Sequence, residues 1–526
     1  MFQSETEVVI IGNGPAGISL SAFLSGWHPF YNEEEPHPDP FLHENFNECA
    51  DTSLLEQDLS WYESEFQTRF MPPTSLRYEY RPQHAVPHIV LGDGPAGGSW
   101  NKYDDDMATV SLSDWMNLPG WSLADWMGGR PLLARLPAGV IREYFREYVK
   151  RLDLTKNFAQ FTSVTNVTVG PRGACFRSTF TRPNFRSSAP TSTRRKYWRV
   201  RGHYADGQPF EITCKRVVLA CGRSHHRRLE VEGEMNSMNV LYSIREMQQL
   251  LQQQDDLNKA HVDEQHVRNP VVIVGDGISA ADAIMHCLAN GVPVVHVFRR
   301  NEKQLKGTML ARLSSTVYPE YSKIFDLMVE RTTDPLYHRA EACSIRAINS
   351  DFTVLLEHSK TGAVELLPYR CLCICVGLRT ELSMLEEKHE FHATYQSEQD
   401  PSLYAIGSAI GDHFVRYLIG GAFHVAQKIL ADHRSEVEKS IEWFPYEAAF
   451  LRADNNDEVC TATNSEASLS TESINISEGQ VDEVRRNPLA CVLQLPHQLR
   501  CRFFPKKPKV HKPYVHSGRM FPIPKF

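Results

Sequence analysis

The chain has 526 residues, of which 42% are hydrophobic and 23% charged, and its formal net charge is -8. That length supports two or three domains with a well-buried core, and the composition is that of a globular protein. No stretch reaches the roughly 18 uninterrupted apolar residues of a membrane span, and the opening "MFQSETEVVIIG", with Glu5 and Glu7, is wrong for a secretory or transit leader, so a cytoplasmic location is expected.

In chain order, "EVVIIG" predicts a buried strand, "GNGPAG" a tight glycine turn, and "ISLSAFLSGW" a short apolar helix closed by Gly26. This order is what a pyrophosphate site needs, because the turn points unsatisfied helix N–H groups and a positive dipole end at the phosphates. Gly12 permits the turn, Gly14 lets backbone approach the ligand, and Gly17 lets helix pack on strand, with Pro15 and Ala16 between. The ribose-binding carboxylate expected about 20 residues later is displaced by an insertion from His28 to about His84. After it, the strand "AVPHIVLG" leads into "GDGPAGGSW", Gly92 to Trp100, which nearly repeats the first glycine motif. The repeat fails as a second site. The residues after it, "NKYDDDMATVSLSDW", include β-branched and turn types where a helix should start. It predicts the second strand of the first unit, with Gly97, Gly98 and Trp100 in a loop beside the same nucleotide. Asp93 is either the displaced ribose ligand or a residue favouring the Gly-Asp-Gly bend. Trp115, Trp121 and Trp126 either line a substrate channel or pack their loop onto this unit. Thr179 to Lys196 reads as a basic surface loop. Arg223, His225, His226, Arg227 and Arg228 form either an anion site or a solvated connection.

A third glycine motif lies in "NPVVIVGDGISAADAIMHCLANG" and again gives strand, turn and helix, with Gly275, Gly277, Ser279 and Ala280 at the turn. Arg299 and Arg300 end the next strand, where an acid would select NAD and a cation accepts a 2'-phosphate, so NADPH is the expected nucleotide. Further on, "LPYRCLCICVG" and "PSLYAIGSAIGD" supply strands able to return to the first sheet. Cys371, Cys373 and Cys375 share one strand face, as a metal site or as an apolar buried strand; no metal is expected, and the chain has no C-x-x-C pair. "ADNNDEVCTATNSEASLSTESINISEGQ" predicts a disordered linker. From Arg485 to Phe526 there are ten Lys or Arg and no acid, which leaves -18 on the rest of the chain. This basic, Pro-rich tail is either a docking arm for an acidic protein or anionic surface or a solvated extension.

The order of "GNGPAG", the "GG-x-W" loop, "VVLACG", a second glycine turn and "VPVVHVFRR" resembles that of flavin-containing monooxygenases. Within that superfamily, "GGSWNKYDDDMATVSLSDWMNLPGWSLADWM" and "LYAIGSAIGDHFVRYLIGGA" are most similar to the oxidative-stress-induced growth inhibitor family, over roughly residues 6 to 432. The resemblance implies an α/β fold of two dinucleotide-binding Rossmann-type domains. The FAD domain would occupy 1–228 and 376–451, the inserted NADPH domain 229–375, and a disordered tail 452–526. It implies FAD and NADPH as cofactors, with Gly407 and Asp412 near the flavin; Asp412 also reads as a helix N-cap, and Ser408 stands where an acid is usual. It implies a monooxygenase in which NADPH reduces the flavin, a C4a-hydroperoxide forms, and one oxygen atom passes to a small molecule. Ser111 or Asn117 would supply the hydrogen bond that a family asparagine gives there. Tyr242 stands where the linker between the units carries a histidine, which implies slow or uncoupled turnover. The family name implies, alternatively, a regulator of growth, differentiation and cell death that uses the fold as a redox sensor or scaffold.

Overall fold

The computed structural model describes residues 4–32, 76–171, 196–258 and 269–443, and four isolated positions between 34 and 44. Residues up to Val437 form one compact unit; a second begins at Glu438. The Thr179–Lys196 loop, save Lys196, and the linker and basic tail lie outside the described residues.

The chain opens with β1 (Glu5–Ile11), α1 (Pro15–Leu24), β2 (Trp27–Tyr31), β3 (Leu76–Tyr80) and β4 (His88–Leu91). After a helix α2 (Ala138–Arg151) come β5 (Phe158–Ala159), β6 (Thr162–Pro171), β7 (Lys196–Tyr204) and β8 (Pro209–Leu219). The first sheet runs β5-β4-β1-β8-β7-β6. β1 is parallel to β4, with Ile11 beside Leu91, and to β8, with Ile11 beside Leu219. Its apolar run is buried on both faces, as a central parallel strand requires. The two ends of the long insertion pair as β2 and β3, with Trp27 opposite Tyr80.

The second part carries β9 (His225–His226), β10 (Val240–Leu241), α3 (Ile244–Asn258), β11 (Val271–Val274), α4 (Ile278–Ala289), β12 (Val294–Phe298), α5 (Pro319–Met328) and β13 (Tyr337–Glu341). Three antiparallel strands come next, β14 (Cys343–Ile348), β15 (Thr353–His358) and β16 (Val364–Pro368), and then β17 (Cys371–Ile374), β18 (Leu378–Arg379), β19 (Leu403–Ala405) and α6 (Val415–Trp443). The second sheet is parallel, in the order β10-β17-β11-β12-β13. One expectation is corrected here. Of the two segments expected to return to the first sheet, only β19 does so, beside β8, whereas the cysteine strand β17 lies beside β11 in the second sheet. The chain leaves the first sheet through β9 and comes back through β18, and these two short strands pair with each other. His225 and His226 are therefore part of a two-stranded connection, and both are exposed.

The first core gathers α1, α2 and α6 around Phe23, Tyr144, Phe145, Tyr148 and Phe423, each 3% exposed or less. Burying an aromatic or aliphatic side chain of this kind stabilises by about 1.5–3 kcal/mol. The second core packs α4 and α5 on the parallel strands through Ile284, Ile324 and Val294. No helix among the described residues is long and apolar enough to cross a membrane.

Candidate functional site: two glycine turns

At the first turn, Gly12 has φ +119°, a left-handed conformation that a side chain would strain, and a Cβ there would sit 2.2 Å from the Ala220 carbonyl. A Cβ on Gly17 would lie 2.0 Å from the Gly12 carbonyl, so helix and turn touch backbone to backbone. Gly14 differs. A Cβ there would meet only the Gly98 Cα, at 3.9 Å. It borders open space in front of the N-terminus of α1, where the first N–H groups of a helix have no internal partner. That space suits a pyrophosphate.

The Gly92–Trp100 loop closes on this turn, as its sequence context predicts. The Gly97 N–H donates to the Asn13 carbonyl (2.9 Å), and the Asn13 carboxamide donates to the Gly94 carbonyl (2.7 Å). A Cβ on Gly98 would lie 2.8 Å from the Gly14 Cα. Trp100 packs edge-on against Phe145 at 5.8 Å, which anchors the loop to α2. Asp93 stands exposed just past the end of β4, and its carboxylate faces Lys102 at 3.4 Å. The late segment completes the wall: a Cβ on Gly407 would lie 2.9 Å from Ala16 Cβ, at the first turn of α1. The Asp412 N–H donates to the Gly407 carbonyl (3.2 Å). α6 starts at Val415, too late for Asp412 to be its N-cap. In the same turn of α6, buried Arg416 lies 4.1 Å over the Trp115 ring. Trp121 and Trp126 pack on Tyr144 at 6.1 and 5.8 Å, as loop-to-core contacts. The Asn117 side-chain oxygen accepts the Leu123 N–H (2.8 Å), bracing that same loop. Ser111 is buried, in a segment whose Val110 carbonyl accepts the Tyr318 hydroxyl (2.6 Å).

The second turn repeats the plan with other side chains. Gly275 has φ +130°, and a Cβ there would sit 2.3 Å from the Cys375 carbonyl; Gly277 borders open space, and Ala280 is buried. Ser279 is exposed on the first turn of α4. Asp276, the counterpart of Asn13, pairs with Arg300 at the end of β12. Arg299 is exposed and has no side-chain hydrogen bond or ion pair among the described residues, which leaves its guanidinium for a ligand at this edge. Beneath the turn, fully buried His296 donates from Nε2 to the Gly275 carbonyl (2.5 Å), while its Nδ1 accepts from the Tyr337 hydroxyl (2.8 Å). Burial holds this imidazole down at about 4, so it stays neutral.

The sequence places the glycines at the two turns and Asp93, Arg299 and Arg300 near them, as the structure does, but it does not point to Asn13, Asp276 or His296 as supports. The middle letter of each "GxG" was the available signal for the first two. His296 in "VPVVHVFRR" carried none, because a histidine in an apolar strand does not reveal what lies above it. Tyr242, noted in the linker, hydrogen-bonds buried Glu234 at 2.7 Å and so braces the connection between the sheets.

Two such turns, one on a mixed sheet and one on a parallel sheet, are the framework of an oxidoreductase of the FAD/NAD(P)-binding class, and the family match agrees. The family described as pyridine nucleotide-disulphide oxidoreductase matches residues 88–428. In fold, the chain is similar to bacillithiol disulfide reductase Bdr (YpdA) from Bacillus cereus (TM-score 0.52, 14% identity, 81% of this chain and 99% of that one). It is likewise similar to the Staphylococcus aureus protein of the same name (TM-score 0.51, 15% identity, 82% of this chain and 99% of that one). The chain belongs to the oxidative stress-induced growth inhibitor family. It is 37% identical to the Caenorhabditis elegans oxidative stress induced growth inhibitor homolog, over 81% of this chain and 94% of that one. It is 30% identical to human oxidative stress-induced growth inhibitor 2, over 80% of this chain and 92% of that one.

Proposed function

We propose that the first turn holds FAD, the second holds NADPH, and the chain works as an NADPH-consuming, monooxygenase-like flavoprotein. The observation that carries this reading is the opposite charge at equivalent places: Asp93 past the end of β4, Arg299 past the end of β12. A carboxylate accepts hydrogen bonds from ribose hydroxyls and repels a 2'-phosphate, whereas a guanidinium pairs with that phosphate. When bound, the flavin accepts hydride from NADPH and passes electrons to molecular oxygen. The chain's own residues do the rest. N–H groups at the starts of α1 and α4 hold the phosphates, Asn13 and Asp276 fix the loops beside them, and the Gly407 segment walls off the first turn. Oxygen is favoured over a protein disulfide as electron acceptor because Cys221, behind Gly12, has no thiol neighbour among the described residues. The substrate in this reading is a small molecule. Growth control, which the relatives' names carry, would then act through this redox chemistry or through partners of the fold.

The test is the visible spectrum of the purified chain, followed by anaerobic addition of NADPH and then admission of oxygen without substrate. Flavin bands that bleach with NADPH and return with release of hydrogen peroxide support the reading. A colourless protein sinks it.

A further inference from the structure

The cysteine strand carries chemistry that the proposed reaction does not use. Cys373 and Cys375 sit two residues apart on β17 and just beyond its end, on one strand face, with their Sγ atoms 3.6 Å apart. Cys373 is fully buried and Cys375 partly exposed. Backbone continuity puts this pair directly behind the second glycine turn: the Cys375 carbonyl is the atom that a Cβ on Gly275 would strike at 2.3 Å, and Cys375 Cβ would be 3.5 Å away.

We propose that Cys373 and Cys375 form a reversible intrachain disulfide in response to hydrogen peroxide, and that this modification weakens nicotinamide-nucleotide binding at the second turn. Peroxide reaches the pair from the side of Cys375, the less buried residue of the two. Cys375 attacks one peroxide oxygen, the O–O bond breaks, water leaves, and a sulfenic acid remains; Cys373 then attacks that sulfur, the S–S bond forms, and the second water departs with the remaining thiol proton. The dithiol loses two electrons, and peroxide gains two. Residues two apart on a strand have Cα atoms separated by about 6.6 Å, near the upper limit of about 6.8 Å for a disulfide. Closing the bond must therefore contract the end of β17. That contraction falls on the Cys375 backbone, because β17 ends at Ile374 and the chain bends away at Gly377, φ +95°. Gly275 has no slack against that carbonyl, so its turn moves with it. The bond from the Cys373 sulfur, and burial after it, hold the Cys375 thiol well above its ordinary range, so it is protonated at rest and its reaction with peroxide is slow.

The effect on nucleotide rests on the proposed NADPH role of the second turn; the disulfide itself does not. Trypsin cleavage after Arg370 and Arg379 releases one peptide with all three cysteines of this strand. The full chain is treated with peroxide, then alkylated, and this peptide is weighed, while NADPH affinity is measured before oxidation, after it, and after a dithiol reductant. The expected peptide lacks two hydrogens and resists alkylation at Cys373 and Cys375, persists in Cys371→Ser and vanishes in Cys373→Ser. NADPH binding should weaken by about tenfold or more, the equivalent of one charge-assisted hydrogen bond to phosphate, and recover on reduction. A peptide that stays alkylatable at both positions, or goes only to sulfinic acid, overturns the proposal. So does a clean disulfide with unchanged NADPH affinity. If the reduced protein binds no NADPH at all, the functional reading fails instead, and the peptide mass still decides whether the disulfide forms.

Discussion

The two glycine turns share a backbone and differ in what surrounds it. In each, a left-handed glycine lies under 2.5 Å, counted from its missing Cβ, from the carbonyl of a neighbouring parallel strand, Ala220 in one and Cys375 in the other. In the first, the residue between the glycines is Asn13, neutral and tied to a backbone carbonyl; in the second it is Asp276, charged and tied to Arg300. Each unit also buries a neutral histidine on the strand beside its turn strand, to different ends. His88 donates to the Val86 carbonyl and accepts from Ser21 of α1, joining strand to helix, whereas His296 holds the turn itself. The backbone therefore repeats one glycine turn twice, and the side chains around it set how firmly each turn is held and, in the function proposed above, which nucleotide each would take.

The largest effect should come from filling one cradle and sparing the other. Gly14→Ala puts a methyl in the space before α1 and should abolish flavin retention, while NADPH affinity measured on the same protein stays within a few-fold of wild type. Gly277→Ala should do the reverse, keeping the yellow colour and losing NADPH binding. If either change removed both nucleotides, the two turns would not be separate sites.

Next are the histidines. Both His88 and His296 are held down at about 4, chiefly by burial, against an ordinary value of 6.5. Their folded forms resist protonation, so the stability they confer is complete above pH 6.5 and is lost as pH falls toward 4, by up to about 3 kcal/mol each. Asp282, held up to about 6 chiefly by burial, acts the other way between pH 4 and 6, so the measurement is a difference between variants. The advantage of wild type over His296→Gln in denaturant should shrink as pH drops through that window, and His88→Gln should behave alike. Only the His296 change should also weaken NADPH, since only it touches a turn.

A smaller effect separates the two arginines. Arg299→Ala should cost one charge-assisted bond, about 1.5–3 kcal/mol, or one to two decades of preference for NADPH over NADH, with NADH use nearly unchanged. Arg300→Ala frees Asp276 and should weaken both nucleotides alike, by several-fold. Equal losses of NADPH and NADH in Arg299→Ala would remove the 2'-phosphate role given to it.

Much of this was legible in the residues. "EVVIIGNGPAG" and "NPVVIVGDG" announced strand, turn and helix because only glycine meets the backbone demands there. The repeat at Gly92 reads as a loop beside the first turn because of the β-branched and turn residues that come after it, and the structure lays that loop against Asn13 and Gly14. The sheet that β17 joins was not legible. A buried cysteine-rich strand fits the middle of either sheet, and only the pairing of Cys371 with Val271 decides between them. Nor did Asn117 disclose its bond to the Leu123 N–H, because a side chain's partner six residues on depends on a turn that the letters do not fix.

The central claim is that one chain holds FAD and NADPH on two differently tuned turns and passes hydride between them. Its most direct test is anaerobic titration of the purified protein with NADPH and, separately, NADH, following the flavin absorbance. Bleaching of bound flavin by one equivalent of NADPH, with NADH requiring at least tenfold higher concentration at an effect of about 1.4 kcal/mol, is the predicted result. Flavin that is present but reduced by neither nucleotide would contradict it.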